Sequence, residues 1–415
     1  MTAKLETALP PEEVEYRRRT PKSARFLSEA RAHLPGGDSR STIFHRPYPA
    51  VFASGSGCRV TDLDGNELLD FTGNHSAMVH GYRHPAVEAA VRRQLERGTA
   101  FPGATEPQLD LARLLTRRVP SMELVRFTNS GTEATLHALR AARAFTGRRR
   151  VARAEGSYHG ALDELMAEAH PEVLVIPFDD PGGARAAIEA EADSLAAVLI
   201  EPVQGSAGMI PASGAHLRAL REATARTGVL LVFDEVVSLR LAWGGAQALF
   251  GIVPDLTVLG KLIGGGFPLG AFGGRRDVMA LFDPTAGRPA VPHPGSYNAN
   301  PMSLAAGAAT LELLTPEAIA RINDLGDRLR AALQRIMDGR VPARVTGLGS
   351  LFGIHPAGAP GYAAEVRRRL YLGLYNRGVL IDPRGVGTIS TVLGEDELAC
   401  LLEAAEEVVS GMARR

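Results

Sequence analysis

Val229-Leu230-Leu231-Val232-Phe233-Asp234-Glu235-Val236 is an unbroken apolar run that stops at an acidic pair. Without polar alternation, it predicts a strand covered on both faces, as in mostly parallel sheets. Leu195-Ala196-Ala197-Val198-Leu199-Ile200 repeats the pattern and ends at Glu201. Polar groups at the carboxyl ends of such strands are where open α/β sheets hold ligands. From 85 to 300, helical stretches alternate with short apolar runs. The expected fold is therefore α/β, with a mostly parallel sheet covered by helices.

The flanks read differently. Residues 1–35 are charged and carry early prolines, which predicts a poorly ordered arm. A helical pattern follows (Ala24, Leu27, Ala30, Leu34) and stops at Pro35-Gly36-Gly37. Val51 to Phe71 reads as short strands around the turn Asp62-Leu63-Asp64-Gly65-Asn66. Residues 302–337 are strongly helical, with Leu304, Leu311, Ile322, Leu325, Leu329 and Leu333 in helical spacing. Strands and helices then alternate on a smaller scale to Val409. The layout predicts an arm and part of a small domain over 1–70, a large domain over 71–305, and the rest of the small α+β domain over 306–415.

A chain of 415 residues with 45% apolar content can bury a large core. Lys+Arg and Asp+Glu are both 46, so the formal charge is zero. That argues against a general electrostatic grip on nucleic acid or anionic membrane. Cys58 and Cys400 are far apart and read as reduced thiols. Met1 to Tyr16 has no apolar signal core, and no apolar run reaches the ~18 residues of a membrane span. A soluble cytoplasmic protein is expected.

Almost all the basic residues are arginine; the lysines are Lys4, Lys22 and Lys261. Lys261 alone lies outside the N-terminal stretch. An arginine is effectively never deprotonated, whereas a lysine amine can turn neutral and attack a carbonyl. Lys261 is thus a candidate imine-forming lysine or a chance survivor on a loop.

Other candidates surround it in sequence order. Asn129-Ser130-Gly131-Thr132-Glu133-Ala134 joins a strand end to an alanine-rich helix and suits either a phosphate or an ordinary N-cap. In Tyr158-His159-Gly160 the tyrosine is either a ring stacker or a core aromatic, and His159 reads as structural. Asp234 must find a cationic or donor partner, a protonated ring nitrogen or an arginine. The Gly260-Lys261 pair is not a P-loop, because Leu262 and Asp255 stand where Ser/Thr and Gly are required. Gly264-Gly265-Gly266 reads as backbone passing close to a cofactor or as a flexible turn. Together these groups form the set that pyridoxal phosphate requires of a protein. No metal is assigned.

The set resembles the class III aminotransferases. The resemblance is carried by Asn129 to Ala134, Tyr158-His159-Gly160, Glu201-Pro202-Val203-Gln204-Gly205, Asp234-Glu235-Val236, Leu259-Gly260-Lys261 and Gly295-Ser296-Tyr297-Asn298-Ala299-Asn300-Pro301. Within that class it is similar to the branch of glutamate-1-semialdehyde aminomutases and β-amino-acid aminotransferases. Leu34-Pro35-Gly36-Gly37-Asp38-Ser39-Arg40 and Asp382-Pro383-Arg384-Gly385 favour the latter. The resemblance implies fold type I and a homodimer with active sites at the interface. It implies that Lys261 carries the imine link to pyridoxal 5'-phosphate and that Asp234 pairs with the ring nitrogen. Tyr158 and Val236 would cover the two ring faces. Ser130, Gly131 and Thr132 would hold the phosphate, with Ser296 reaching the phosphate of the other protomer. Arg40 and Arg384 would bind substrate carboxylate. The implied reaction moves an amino group from an amino acid, β-amino acids included, to a 2-oxo acid by a ping-pong aldimine/ketimine cycle. The alternative is a 2,1-aminomutase of the glutamate-1-semialdehyde type.

Overall fold

The computed structural model describes residues 9–285 and 287–413. Its centre is a seven-stranded sheet. In chain order the strands are β1 (Leu124–Thr128), β2 (Arg150–Ala154), β3 (Val173–Ile176), β4 (Leu195–Ile200), β5 (Leu230–Asp234), β6 (Leu256–Leu259) and β7 (Gly270–Gly274). Their spatial order is β1-β7-β6-β5-β4-β2-β3. β5 pairs in parallel with β4 and β6, while β7 runs antiparallel to both its neighbours.

The apolar run of β5 is buried on two sides, as its lack of alternation predicts. Leu230 and Val232 pack with Ala134, Ala138 and Leu139 of the helix Gly131–Thr146. Leu231 and Phe233 face the other way, against Leu217, Leu220 and Ala223 of the helix Gly214–Thr227. Full burial of each such side chain contributes about 1.5–3 kcal/mol, so neither face tolerates a polar residue. Asp234 is placed where the strand runs out of apolar neighbours.

Both chain ends build the smaller sheets. Phe52–Ser56, Arg59–Asp62 and Glu67–Asp70 form the predicted meander, and Val379–Leu380 joins its edge in parallel, with Val379 opposite Leu69. Ala343–Thr346, Leu351–Pro356 and Val386–Thr388 form a three-stranded sheet. The expected helical stretch 302–337 is two helices, Pro301–Leu313 and Pro316–Met337. Each begins at a proline, behind Asn300 and Thr315, whose side chains cap the first N–H groups.

In the segment Gly264-Gly265-Gly266, the middle residue is pressed against backbone. A Cβ on Gly265 would meet the Ala306 carbonyl oxygen at 2.4 Å, and one on Gly307 would meet that of Ile263 at 1.9 Å. Gly265 and Gly307 let the turn after Lys261 lie against the helix Pro301–Leu313.

The N-terminal arm is also a correction. From Leu9 onward it is ordered, with helices Pro11–Arg19 and Pro21–Ala30. Charge dominates these residues, so their deep aromatic anchor is easily overlooked. Tyr16 is fully buried among Tyr48 and Tyr375, and its hydroxyl donates to the Tyr48 carbonyl at 3.0 Å. Tyr16→Ala should therefore cost about 3–5 kcal/mol, the range for emptying a large aromatic site. Denaturant unfolding checks this; a loss below about 1 kcal/mol would mean that the arm is not docked in solution.

Candidate active site

Parallel pairing brings the carboxyl ends of β2, β4, β5 and β6 to one edge, and β1, reached through antiparallel β7, ends at the same edge; the loop after each reaches a single cavity. The cavity has a volume of about 460 Å³ and is lined by Gly131 and Thr132 after β1, Tyr158 and His159 after β2, Glu201 and Gly205 after β4, Asp234 and Val236 at β5, and Lys261 after β6. The chain's far end contributes Asp382 and Arg384, and the N-terminal half adds Thr72 and His75.

Lys261 follows Gly260, which is extended, and itself takes a left-handed backbone with φ of 51°. That conformation is costly for a residue with a Cβ and concentrates at functional sites. Burial pushes the Lys261 amine below the ordinary lysine range; Asp234 and Glu201 oppose the shift, and Arg384 adds to it.

Asp234 is buried, and its partner is not an arginine. Its Oδ2 lies 2.9 Å from His159 Nδ1, and its Oδ1 accepts the Val236 N–H at 3.1 Å. Glu201, also buried, accepts the N–H groups of Tyr158 at 2.9 Å and Gly205 at 3.0 Å. Burial raises Glu201 to about 7; His159 draws it down and Asp234 pushes it up.

Tyr158 is 41% exposed, so it is not a core aromatic. Its loop is held close to the helix start: a Cβ at Gly160, whose φ is 95°, would meet Thr132 Oγ1 at 2.5 Å. Ser130 serves as the N-cap of the helix Gly131–Thr146, its Oγ accepting the Glu133 N–H at 3.1 Å. The first N–H groups of that helix, on Gly131 and Thr132, have no intrahelical acceptor and point where an anion is favoured. Ser130 does not itself line the cavity, whereas Gly131 and Thr132 do.

The remaining residues divide. Arg384 lines the cavity and is held by Asp382, with Nε to Oδ1 at 2.8 Å and Nη2 to Oδ2 at 2.9 Å. His75 Nδ1 joins the same carboxylate at 3.0 Å. Burial would raise Asp382, but Arg384 and His75 outweigh it and hold the group well below the usual carboxylate range. Arg40 lies outside this cavity, in an adjoining one of about 540 Å³. Its Nη1 donates to Asn74 Oδ1 at 3.1 Å. Ser296 is exposed on the segment before the helix Pro301–Leu313 and does not line either cavity.

The donor set fits pyridoxal phosphate. A Cβ on Gly131 would reach Val236 Cγ2 at 3.2 Å; its absence leaves room beside Val236 for a flat ring between that residue and Tyr158. Helix-start residues, a strand-end carboxylate and a lysine with depressed basicity line the same space. Such a site belongs to the pyridoxal-phosphate-dependent transferases of fold type I.

The comparisons with known proteins agree. The class III aminotransferase family matches residues 43–179 and 183–402, and the chain belongs to that family. It is 40% identical over 414 residues to the β-phenylalanine transaminase of Variovorax paradoxus, covering 95% of each chain. It is 38% identical over 420 residues to the glutamate-1-semialdehyde 2,1-aminomutase of Methanothermobacter thermautotrophicus, covering 94% of this chain and 99% of that one. Among solved structures it is similar to an omega-transaminase from Sphaerobacter thermophilus, with a TM-score of 0.91, 42% identity, and coverage of 95% and 98%. The protein is a pyridoxal-phosphate-dependent aminotransferase.

The amine's environment gives a titration test. Labelling of Lys261 in the cofactor-free protein by an amine-acylating reagent, followed by peptide mapping, should rise with pH to a midpoint below 10.5. Asp234 favours the charged amine, so Asp234→Asn should move that midpoint lower still. A midpoint at 10.5 or above would contradict the dominance of burial.

Proposed function

We propose that this aminotransferase takes its amino group from a carboxylate-bearing donor, a β-amino acid, and delivers it to a 2-oxo acid. The observation that carries this reading is Arg384, a guanidinium on the wall of the cavity that Lys261 and Asp234 also line. A guanidinium recognises carboxylate through paired N–H donors. Arg40 stands in the adjoining cavity with Ile43, Val51, Phe52 and Tyr82, and the two cavities share Thr72, His75 and Asp382. A donor carrying an apolar substituent next to its carboxylate suits that pairing. The likeness to a β-phenylalanine transaminase supports it.

When bound, the cofactor supplies an aldehyde that condenses with amines and a ring that draws electrons from the adjoining carbon. Lys261 would hold the cofactor through its Nζ. When free, the same Nζ would act as a neutral base that takes up and gives back the proton of the donor's amine-bearing carbon. The Asp234 carboxylate would accept the ring N–H. Tyr158 and Val236 would flank the ring, and the N–H groups of Gly131 and Thr132, with the Thr132 hydroxyl, would hold the phosphate, while Ser130 caps the same helix start.

We read the working unit as a cytoplasmic homodimer in which Ser296 of one protomer reaches the phosphate site of the other. The exposure of Ser296 and Tyr297 on this chain supports that role. No helix among the described residues is long and apolar enough to cross a membrane. An aminomutase activity is the second reading, favoured by the 38% identity to a protein of that name. Isomerisation of glutamate 1-semialdehyde with no added acceptor would put it first.

Lys261→Ala should abolish transamination while leaving the circular dichroism spectrum and melting transition in place; retained turnover would refute its role. Arg384→Ala should raise KM for carboxylate donors by about tenfold or more, as expected for a lost charged hydrogen bond. The same variant should barely affect an amine donor that lacks a carboxylate, and equal losses on both donors would remove Arg384 from carboxylate binding.

A further inference from the structure

Asn298 uses both ends of its side-chain amide in a stretch that is otherwise open to solvent. Its Nδ2 donates to the Pro294 carbonyl at 3.1 Å and to His293 Nε2 at 3.0 Å. Its Oδ1 accepts from Asn129 Nδ2 at 3.1 Å. The Pro294 carbonyl can only accept, so the amide has one workable orientation. Between these anchors lie Gly295, Ser296 and Tyr297, all exposed.

Both ends of the turn are fixed. At its start, His293 packs among His137, Phe272 and Phe282, with the His137 ring centroid 4.1 Å away. That burial pushes the imidazole down to about 4, and His137, Arg126 and Arg140 add to the shift. A neutral ring thus presents Nε2 as an acceptor. At the other end, Asn300 Oδ1 accepts the Met302 N–H at 3.0 Å at the start of the helix Pro301–Leu313, and Asn300 Nδ2 donates to the Thr99 carbonyl at 3.0 Å. Ala299 takes a left-handed backbone with φ of 58°, a costly conformation for a residue with a Cβ. Inside the turn, the Asn298 N–H donates to the Gly295 carbonyl at 3.2 Å, and a Cβ on Gly295 would collide with the Asn298 amide.

The far side of Asn298 meets the start of the phosphate cradle. Asn129 directly precedes Ser130, Gly131 and Thr132. Its N–H and its Nδ2 donate to Glu133 Oε2 at 2.8 Å and 3.3 Å. Glu133 belongs to the helix that Ser130 caps. One side chain therefore spans from this protomer's cradle to the turn that carries Ser296. Without the Asn298 amide, Asn129 keeps Glu133, whereas the turn loses its tie to the cradle and two internal restraints.

We propose that Asn298 is a positioning residue that holds the Ser296 hydroxyl where it meets the cofactor phosphate of the other protomer. It acts through the shape of the turn and touches neither cofactor nor substrate. The inference rests on Ser296 serving that phosphate, and the test separates the two.

The measurement is cofactor affinity rather than turnover. Cofactor-free protein is titrated with pyridoxal phosphate and with pyridoxal, which has the same ring and aldehyde but no phosphate. The ratio of the two dissociation constants reports the phosphate contacts. Ser296→Ala should lower the preference for pyridoxal phosphate by about tenfold, as expected for one lost hydrogen bond to a charged group. Asn298→Ala should lower it to a similar extent. It should change pyridoxal binding by less than about twofold, within the range of a surface substitution. The double variant should lose no more than about twofold beyond Ser296→Ala alone, because the two residues act in series.

If Asn298→Ala weakens both ligands equally, or leaves the ratio unchanged while Ser296→Ala lowers it, the positioning role is overturned. Independent, additive losses in the double variant overturn it as well. If Ser296→Ala itself leaves the ratio unchanged, the reading of Ser296 fails and the inference falls with it. Should the alanine variant not fold, Asn298→Asp allows the same comparison, because it keeps an oxygen for Asn129 and loses both N–H donors.

Discussion

Parallel pairing at the centre of the sheet is the constraint from which the site follows. With β5 in parallel register between β4 and β6, Val232 stands opposite Leu199 on one side and Leu256 on the other. Every strand of that group must then end at the same edge. Each end leaves the apolar layers at a similar height, so the first residue able to be polar is also the first to face the cavity. Glu201, Asp234 and Lys261 are such residues, one per strand. Their proximity needs no further design element, because strand register supplies it.

That crowding produces the electrostatics. Two buried carboxylates and an amine share a low-dielectric pocket, where each favours or opposes the charge of the others more strongly than in water. Burial alone would make the amine neutral and both acids protonated. Mutual attraction works against this, and the balance differs from group to group. The Lys261 amine still falls below its ordinary range, while Glu201 is raised to about 7. Burial thus favours the neutral amine, the form needed by a base that cycles one proton. Asp234 is held by two hydrogen bonds to its oxygens.

Most of this was legible in the sequence where the determinant is local. The apolar runs before Glu201 and Asp234, the solitary Lys261, and the small polar residues before an alanine-rich helix each carry their own signal. What escaped was set by distant parts of the chain. Asn74, His75 and Ser76 all take left-handed backbone conformations, a turn that composition does not announce. Only the fold then brings His75 to Asp382, more than 300 residues away. The contact of His159 with Asp234 is likewise long-range, between residues 75 positions apart. Tyr16 was lost in a charged segment because a single aromatic leaves no periodic trace. For the glycines after Lys261, a sequence shows that space is needed but not which neighbour fills it; Gly265 lies against the Ala306 carbonyl.

The turn at residues 73–76 also bears on how two different substrates share one site. Asn74 meets Arg40 and His75 meets Asp382, so one strained segment contacts the surroundings of both arginines. Asp382 already occupies Nε and Nη2 of Arg384, and among the described residues Nη1 makes no hydrogen bond. A guanidinium so engaged is partly neutralised before substrate arrives. A substrate carboxylate bound there, as proposed, would meet Nη1 rather than the full paired grip of an isolated arginine. A transferase that must accept a donor, release its oxo product and then take a second oxo acid into the same cavity benefits from a contact that is directional but not tight.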